Sequence, residues 1–164
     1  MRATRWHDAG VSATGQTRLL IATGEAAANV GELPPFIGTL IQSASEILVI
    51  TPILVSRLRW LASDTDRARY EADERLGVVL RHVEALAPGA ETKAQIGDET
   101  PLTAFEDAIR AFRPDHILIA LRSADHHAWQ ERGLMDALRS AFHIPMTVFE
   151  IDQAGCVPPA EPHA

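Results

Sequence analysis

Five short strand-like segments, four of them largely apolar and all separated by longer amphipathic ones, constrain the fold of this chain more than any other feature of its sequence. Short apolar runs between turn signals are typical of buried strands, and the helical spacing of the segments between them indicates β-α-β units. Such units give parallel strands with helical crossovers, so we predict an α/β fold with an open, mainly parallel sheet and helices on both faces. The predicted strands are residues 19–22, 46–50, 91–96, 116–120 and 146–151.

The distribution of polar residues within the strands predicts their order in the sheet. The first, second and fourth strands are nearly all apolar, as expected of strands covered on both faces. The third alternates Glu91, Lys93 and Gln95 with smaller residues, and the fifth carries the acidic Glu150 among large apolar groups. We therefore expect the third and fifth strands at the edges, which gives a Rossmann-like order of 3-2-1-4-5.

This order places a topological switch between the first and fourth strands. Open α/β sheets bind their ligands at such a switch, beyond the carboxyl ends of the strands. The residues expected there are Ala22, Thr23, Gly24 and the segment 120–123.

Capping signals predict four helices. Thr100 followed by Pro101 suits the N-cap and first-turn positions, where proline costs no hydrogen bond. The predicted helices run from about Phe36, from the polar segment 63–66 to Pro88, from Pro101 to Phe112, and over 130–142.

Length and composition favour one folded unit with two tails. A chain of 164 residues with 46% hydrophobic residues is long enough for one sizeable core. Both ends lack apolar periodicity, and the carboxyl end is rich in glycine and proline. We predict flexible tails over 1–16 and 153–164, and a domain over 17–152.

Charge, cysteine content and the length of apolar stretches indicate which partners and which cellular compartment to expect. The formal net charge is −7, with 22 acidic and 15 basic side chains, which disfavours binding to nucleic-acid phosphates. The single cysteine, Cys156, has no partner for an intrachain disulfide. The longest apolar stretch, 47–55, is interrupted by Pro52 and falls short of the roughly 20 residues that span a bilayer. No segment resembles a signal peptide, so we expect a cytoplasmic protein that binds neither nucleic acid nor membrane.

Several local sequences, taken together, resemble the universal stress protein family of adenine-nucleotide-binding α/β proteins. The matching segments are 19–23, Gly97-Asp98 with Pro101, 115–119 and 143–148. The resemblance covers nearly all of 17–152 and implies the strand order given above. It also implies a role in stress response and a homodimer paired through the fifth strand, whose apolar edge should not remain exposed.

The phosphate-binding loop of that family is altered in this chain. Members that bind ATP carry Gly-x2-Gly-x9-Gly followed by Ser or Thr, and the sequence here reads Ala120-x2-Ser123-x9-Gly133-Leu134. Glycine lets backbone amides approach a phosphate closely, and Leu134 removes a hydroxyl that would hydrogen-bond to it. We therefore expect ATP binding that is weak or absent.

Two arginines near the altered loop offer partial compensation, since Arg122 and Arg132 can form charge-assisted contacts with an anion. The candidate cofactor-binding residues are Ala22, Thr23, Gly24, Thr51, Ala120, Arg122, Ser123, Arg132, Gly133 and Leu134.

Three functions remain open at this point. The leading hypothesis is a non-enzymatic regulatory module of the universal stress type. The alternative is an ATP-binding member in which Arg122, Ser123 and Gly133 replace the glycine cradle. The third is a metal-dependent hydrolase, because Asp125-His126-His127 is similar to the motif of the manganese-dependent DHH phosphoesterases. A solvated polar loop explains that tripeptide more simply, and we predict no metal site.

Overall fold

The computed structural model describes residues 17–23, 33, 35–51, 65–97, 100–122 and 133–151. The predicted tails lie outside these residues. The elements, in chain order, are β1 (Arg18–Thr23), α1 (Pro35–Gln42), β2 (Glu46–Thr51), α2 (Thr65–Leu86), β3 (Glu91–Ile96), α3 (Pro101–Phe112), β4 (His116–Arg122), α4 (Leu134–Ala141) and β5 (Met146–Ile151).

The five strands form one sheet in the order β3-β2-β1-β4-β5, and all four neighbouring pairs are parallel. This confirms the predicted order and the predicted topological switch. Along β1, Ile21 pairs with Val49 of β2 on one side and with Leu118 of β4 on the other. The register brings the carboxyl ends of β1 and β4 together.

The sheet is packed on both faces. On one face, α1 and α2 bury Ile37, Ile41, Val79 and Val83 against alternate residues of the central strands. The other alternate residues pack against α3 and α4, where Phe105 and Leu138 are fully buried. Burying one such side chain contributes roughly 1.5–3 kcal/mol, so the two apolar layers fix the sheet between the helix pairs.

Two helix boundaries differ from the prediction. Helix α1 begins at Pro35, one residue earlier than expected, because proline is well accommodated in the first turn. The predicted helix 130–142 is shorter within the described residues, since α4 spans Leu134–Ala141. Gly133 has φ 60, a left-handed conformation that a right-handed helix excludes, and Phe142 is extended. Residues 130–132 lie outside the described residues.

The two edge strands differ in chemistry. On β3 the side chains of Glu91, Lys93 and Gln95 are exposed, and Lys93 Nζ lies 2.8 Å from Glu91 Oε1. On β5 the apolar Val148 and Phe149 are partly buried. No helix in the described part of the chain is both long and apolar enough to cross a bilayer.

Candidate functional site

The candidate site is the carboxyl end of β1 and its neighbours β2 and β4. Ala22 pairs with Ile119, and Thr23 pairs with Ala120, so two of the predicted site segments meet in the sheet. Thr51 ends β2, and its carbonyl accepts a hydrogen bond of 3.0 Å from the N–H of Gly97 just beyond β3. The fold therefore assembles the described part of the predicted switch.

Two threonine hydroxyls at this end bind each other. Thr23 Oγ1 and Thr51 Oγ1 are 3.2 Å apart, and the two residues are only 2% and 1% exposed. Both follow the alternation of Ile21 and Val49 and so lie on the α1/α2 face of the sheet. Because buried hydroxyls are costly without a partner, this mutual bond offsets the cost of burying two polar residues at the ends of β1 and β2.

The other described side chains of the site are apolar and buried. Ala22 and Ala120 present only methyl groups, at 0% and 5% exposure. Leu134 belongs to the cluster formed with Phe105 and Leu138, so its side chain packs in the core beneath α3 and α4. A hydroxyl at position 134 would be placed among these apolar groups. Leu134 thus anchors the first turn of α4.

Gly133 supplies the backbone feature that best suits an anion. It is the N-cap of α4 with φ 60 and ψ 19, and it makes no side-chain capping hydrogen bond. Its carbonyl accepts the N–H of Ala137 at 2.9 Å, which starts the helix. Among the described residues, no atom lies within 4 Å of where a Cβ would stand, while the backbone angle itself favours glycine. The first amides of α4 lack intrahelical acceptors, as at any helix N-terminus.

Several predicted site residues cannot be placed. Gly24, Ser123 and Arg132 lie outside the described residues, as do Asp125, His126 and His127. Arg122 ends β4 in register with Ile151, but its side chain is not described. Within the described residues, no group of three His, Cys, Asp or Glu side chains is arranged to hold a metal ion.

The opposite end of the sheet, where the strands begin, carries polar contacts that the sequence did not reveal. Arg18 Nη2 lies 3.1 Å from Glu46 Oε2 at the start of β2. The backbone N–H of Arg18 donates to Asp115 Oδ2 at 2.9 Å, and the N–H of Asp115 donates to the Arg18 carbonyl at 2.8 Å. The guanidinium of Arg18 also lies over the ring of Phe112. These contacts join β1, β2, β4 and the end of α3.

His116 begins β4 at this same end of the sheet. Its Nε2 is 2.8 Å from Thr147 Oγ1 on β5, and partial burial lowers the pKa of the imidazole below its usual value of 6.5. A polar residue at the start of an apolar strand, as at Arg18, Glu46 and His116, is the sequence signal that marks this end of the sheet.

Comparison with known proteins supports the fold alone. No protein-family model matches the chain, and no curated protein matches it. Five chains of solved structures match. One is the crystal structure of a hypothetical protein, PH0823, which is 15% identical over 81% of this chain and 95% of that chain, with a TM-score of 0.54. The likeness agrees with the Rossmann-like α/β topology described above.

Proposed function

We propose that the protein is a non-enzymatic, cytoplasmic regulatory module of the universal stress type, which binds ATP weakly or not at all and acts as a homodimer. The fold and the strand order support this proposal, and so does the altered loop between β4 and α4.

One observation carries the proposal: the described side chains at the switch are buried and contact other parts of the protein. The hydroxyls of Thr23 and Thr51 bind each other, and Leu134 packs in the core. A bound nucleotide needs polar groups that converge on its phosphates and ribose. Among the described residues, the backbone amides at the start of α4 are the groups that remain for this purpose.

Calorimetric titration with ATP and Mg²⁺ tests the proposal, after mass spectrometry has shown whether a nucleotide copurifies. We expect no saturable binding up to millimolar ATP. Micromolar binding that is lost in Gly133→Val would overturn this part of the proposal and establish the alternative, an adenine-nucleotide binder built on Arg122, Ser123 and Gly133. Micromolar binding that survives Gly133→Val would also overturn it and assign the nucleotide to another surface.

The difference between the two sheet edges supports pairing through β5 (Met146–Ile151). A charged edge strand resists pairing with another chain, and β3 has this character, with Glu91 and Lys93 exposed. On β5 the described side chains, those of residues 146–149, carry no charge, and the one charged residue of the strand is Glu150 near its end. Since a second copy of the chain presents the same apolar edge, a symmetric dimer would cover both.

The backbone at the edge of β5 is oriented for such pairing. The Ile117 N–H donates to the Pro145 carbonyl at 2.9 Å, and Ile117 pairs with Met146. In a parallel ladder, residues 145, 147 and 149 then direct their backbone groups to β4. Met146 and Val148 direct theirs to the open edge, where a second β5 would bind them.

A further inference from the structure

The start of β5 is held to β4 by a side-chain hydrogen bond in addition to the backbone ladder. His116 Nε2 and Thr147 Oγ1 lie 2.8 Å apart, and both residues are partly buried. By strand alternation they share the face of Leu118, which α1 and α2 cover. The bond therefore spans the β4/β5 pair where β5 begins.

A neutral imidazole suits this position better than a charged one. The hydroxyl of Thr147 pairs with Nε2 in either tautomer, and burial lowers the pKa of His116. Protonation would place a positive charge where burial has removed part of its hydration, so the charged form is disfavoured unless other groups stabilise it.

The surroundings of His116 offer this charge little compensation. Helix α1 carries no ionisable residue, and the residues 87–90 that connect α2 with β3 carry none. On β1, Arg18 is paired with Glu46, while Asp115 accepts the backbone N–H of Arg18. The carboxylates of Glu46 and Asp115 thus both bind Arg18.

Further charged residues belong to α2 and β5. On the last turns of α2, Arg81, His82 and Glu84 are exposed, and this helix packs over β2 and β3. On β5 the ionisable residue is Glu150, which pairs in register with Leu121, five positions along β4 from His116.

We propose that His116 and Thr147 form an acid-sensitive latch, which holds the first residues of β5 against β4 and releases them when the imidazole is protonated. Within one protomer β5 has a backbone partner on one side only, so its separation from β4 breaks fewer hydrogen bonds than the opening of any central strand. Opening exposes the imidazolium to water, which favours the open state at low pH.

The sign of the effect follows from linkage. The pKa of His116 is lower in the closed state than in the open one, so the open state binds the proton more tightly. Above the ordinary histidine value of about 6.5 both states are neutral and the latch is closed. As the pH falls below that value, the closed state loses stability relative to the open state.

Amide hydrogen exchange of the full chain tests the latch. Protection factors, corrected for the intrinsic pH dependence of exchange, are measured at pH 7.5 and pH 5.5. We expect the amides of Thr147 and Phe149 to lose protection at the lower pH by a factor of roughly two to ten, the range that linkage allows for an open-state pKa of about 6.5, while those of β1 keep theirs. Equal protection of β5 at the two pH values would overturn the proposal.

Two variants assign the effect to one side chain. His116→Gln keeps a hydrogen-bonding group near the position of Nε2 but does not titrate, and it should remove the pH dependence of β5. His143→Gln is the matched control, since His143 is exposed and lies just before β5, and this variant should respond as the wild type does. A wild-type response in His116→Gln, or its loss in His143→Gln, would contradict the latch.

A measurement on the wild type alone covers the case in which His116→Gln does not fold. The imidazole of His116 is titrated by NMR alongside the protection of β5. The two midpoints should coincide, and separate midpoints would overturn the proposal.

Discussion

The guanidinium carbon of Arg18 lies 4.8 Å from the centre of the Phe112 ring, which joins the first residue of β1 to the last residue of α3. A cation over an aromatic face is stabilised by about 0.5–1 kcal/mol at a partly exposed site. We predict a coupling energy of about this size in a double-mutant cycle of Arg18→Met and Phe112→Leu, measured by urea denaturation. Strictly additive effects of the two substitutions would contradict the prediction.

The paired hydroxyls of Thr23 and Thr51 make a second prediction. Thr51→Val leaves the buried hydroxyl of Thr23 without this partner, which should lower the free energy of unfolding by about 1–3 kcal/mol. The double variant Thr23→Val/Thr51→Val removes both polar groups and should recover most of the loss. Chemical denaturation measures both variants, and a double variant as unstable as the sum of its singles would argue against the mutual bond.

Thr92 provides the opposite case. Its buried Oγ1 has no hydrogen-bond partner among the described residues. Thr92→Val is therefore expected to be neutral, or to raise the free energy of unfolding by up to about 1 kcal/mol. Thr147→Val is the matched control on the other edge strand, because it removes a hydroxyl that is bonded to His116 and should cost roughly 0.5–1.5 kcal/mol. A clear loss of stability in Thr92→Val would show that its hydroxyl has a partner.

Arg113 ends α3 in a left-handed conformation, with φ 53 and ψ 63. A side chain other than glycine is strained there, so we expect Arg113→Gly to raise the thermal midpoint and to stabilise the protein by about 0.5–1 kcal/mol. Arg110→Gly, within the same helix, should instead cost about 1 kcal/mol. Thermal unfolding compares the two, and destabilisation by Arg113→Gly would contradict the assigned backbone conformation.

The sheet could be predicted from sequence because its signals are local. The charged alternation of Glu91, Lys93 and Gln95 marks an edge, and the apolar first, second and fourth strands mark the interior. Thr100 and Pro101 likewise indicate the start of α3. Each of these signals needs only a few neighbouring residues to be interpreted.

The polar contacts at the two ends of the strands, including the candidate site, were harder to predict because they join residues that are distant in sequence. Thr23 and Thr51 are separated by 28 positions, and Arg18 and Asp115 by 97. The left-handed backbone of Gly133 leaves no trace in the spacing of apolar residues. The helix predicted from that spacing therefore extends past the point where α4 begins. Leu134 was recognised as the loss of a hydroxyl, whereas its place in the core depends on Phe105 and Leu138, which come from other parts of the chain.

The most direct test of the proposed regulatory dimer is sedimentation velocity on three forms of the protein. Val148→Pro removes an outward N–H of β5 without loss of a ladder bond to β4, and Ala94→Pro does the same on β3, where the Glu91 N–H faces β2. We predict a wild-type dimer at micromolar concentration, a monomer for Val148→Pro and a dimer for Ala94→Pro. A wild-type monomer, or a dimer lost only in Ala94→Pro, would contradict pairing through β5.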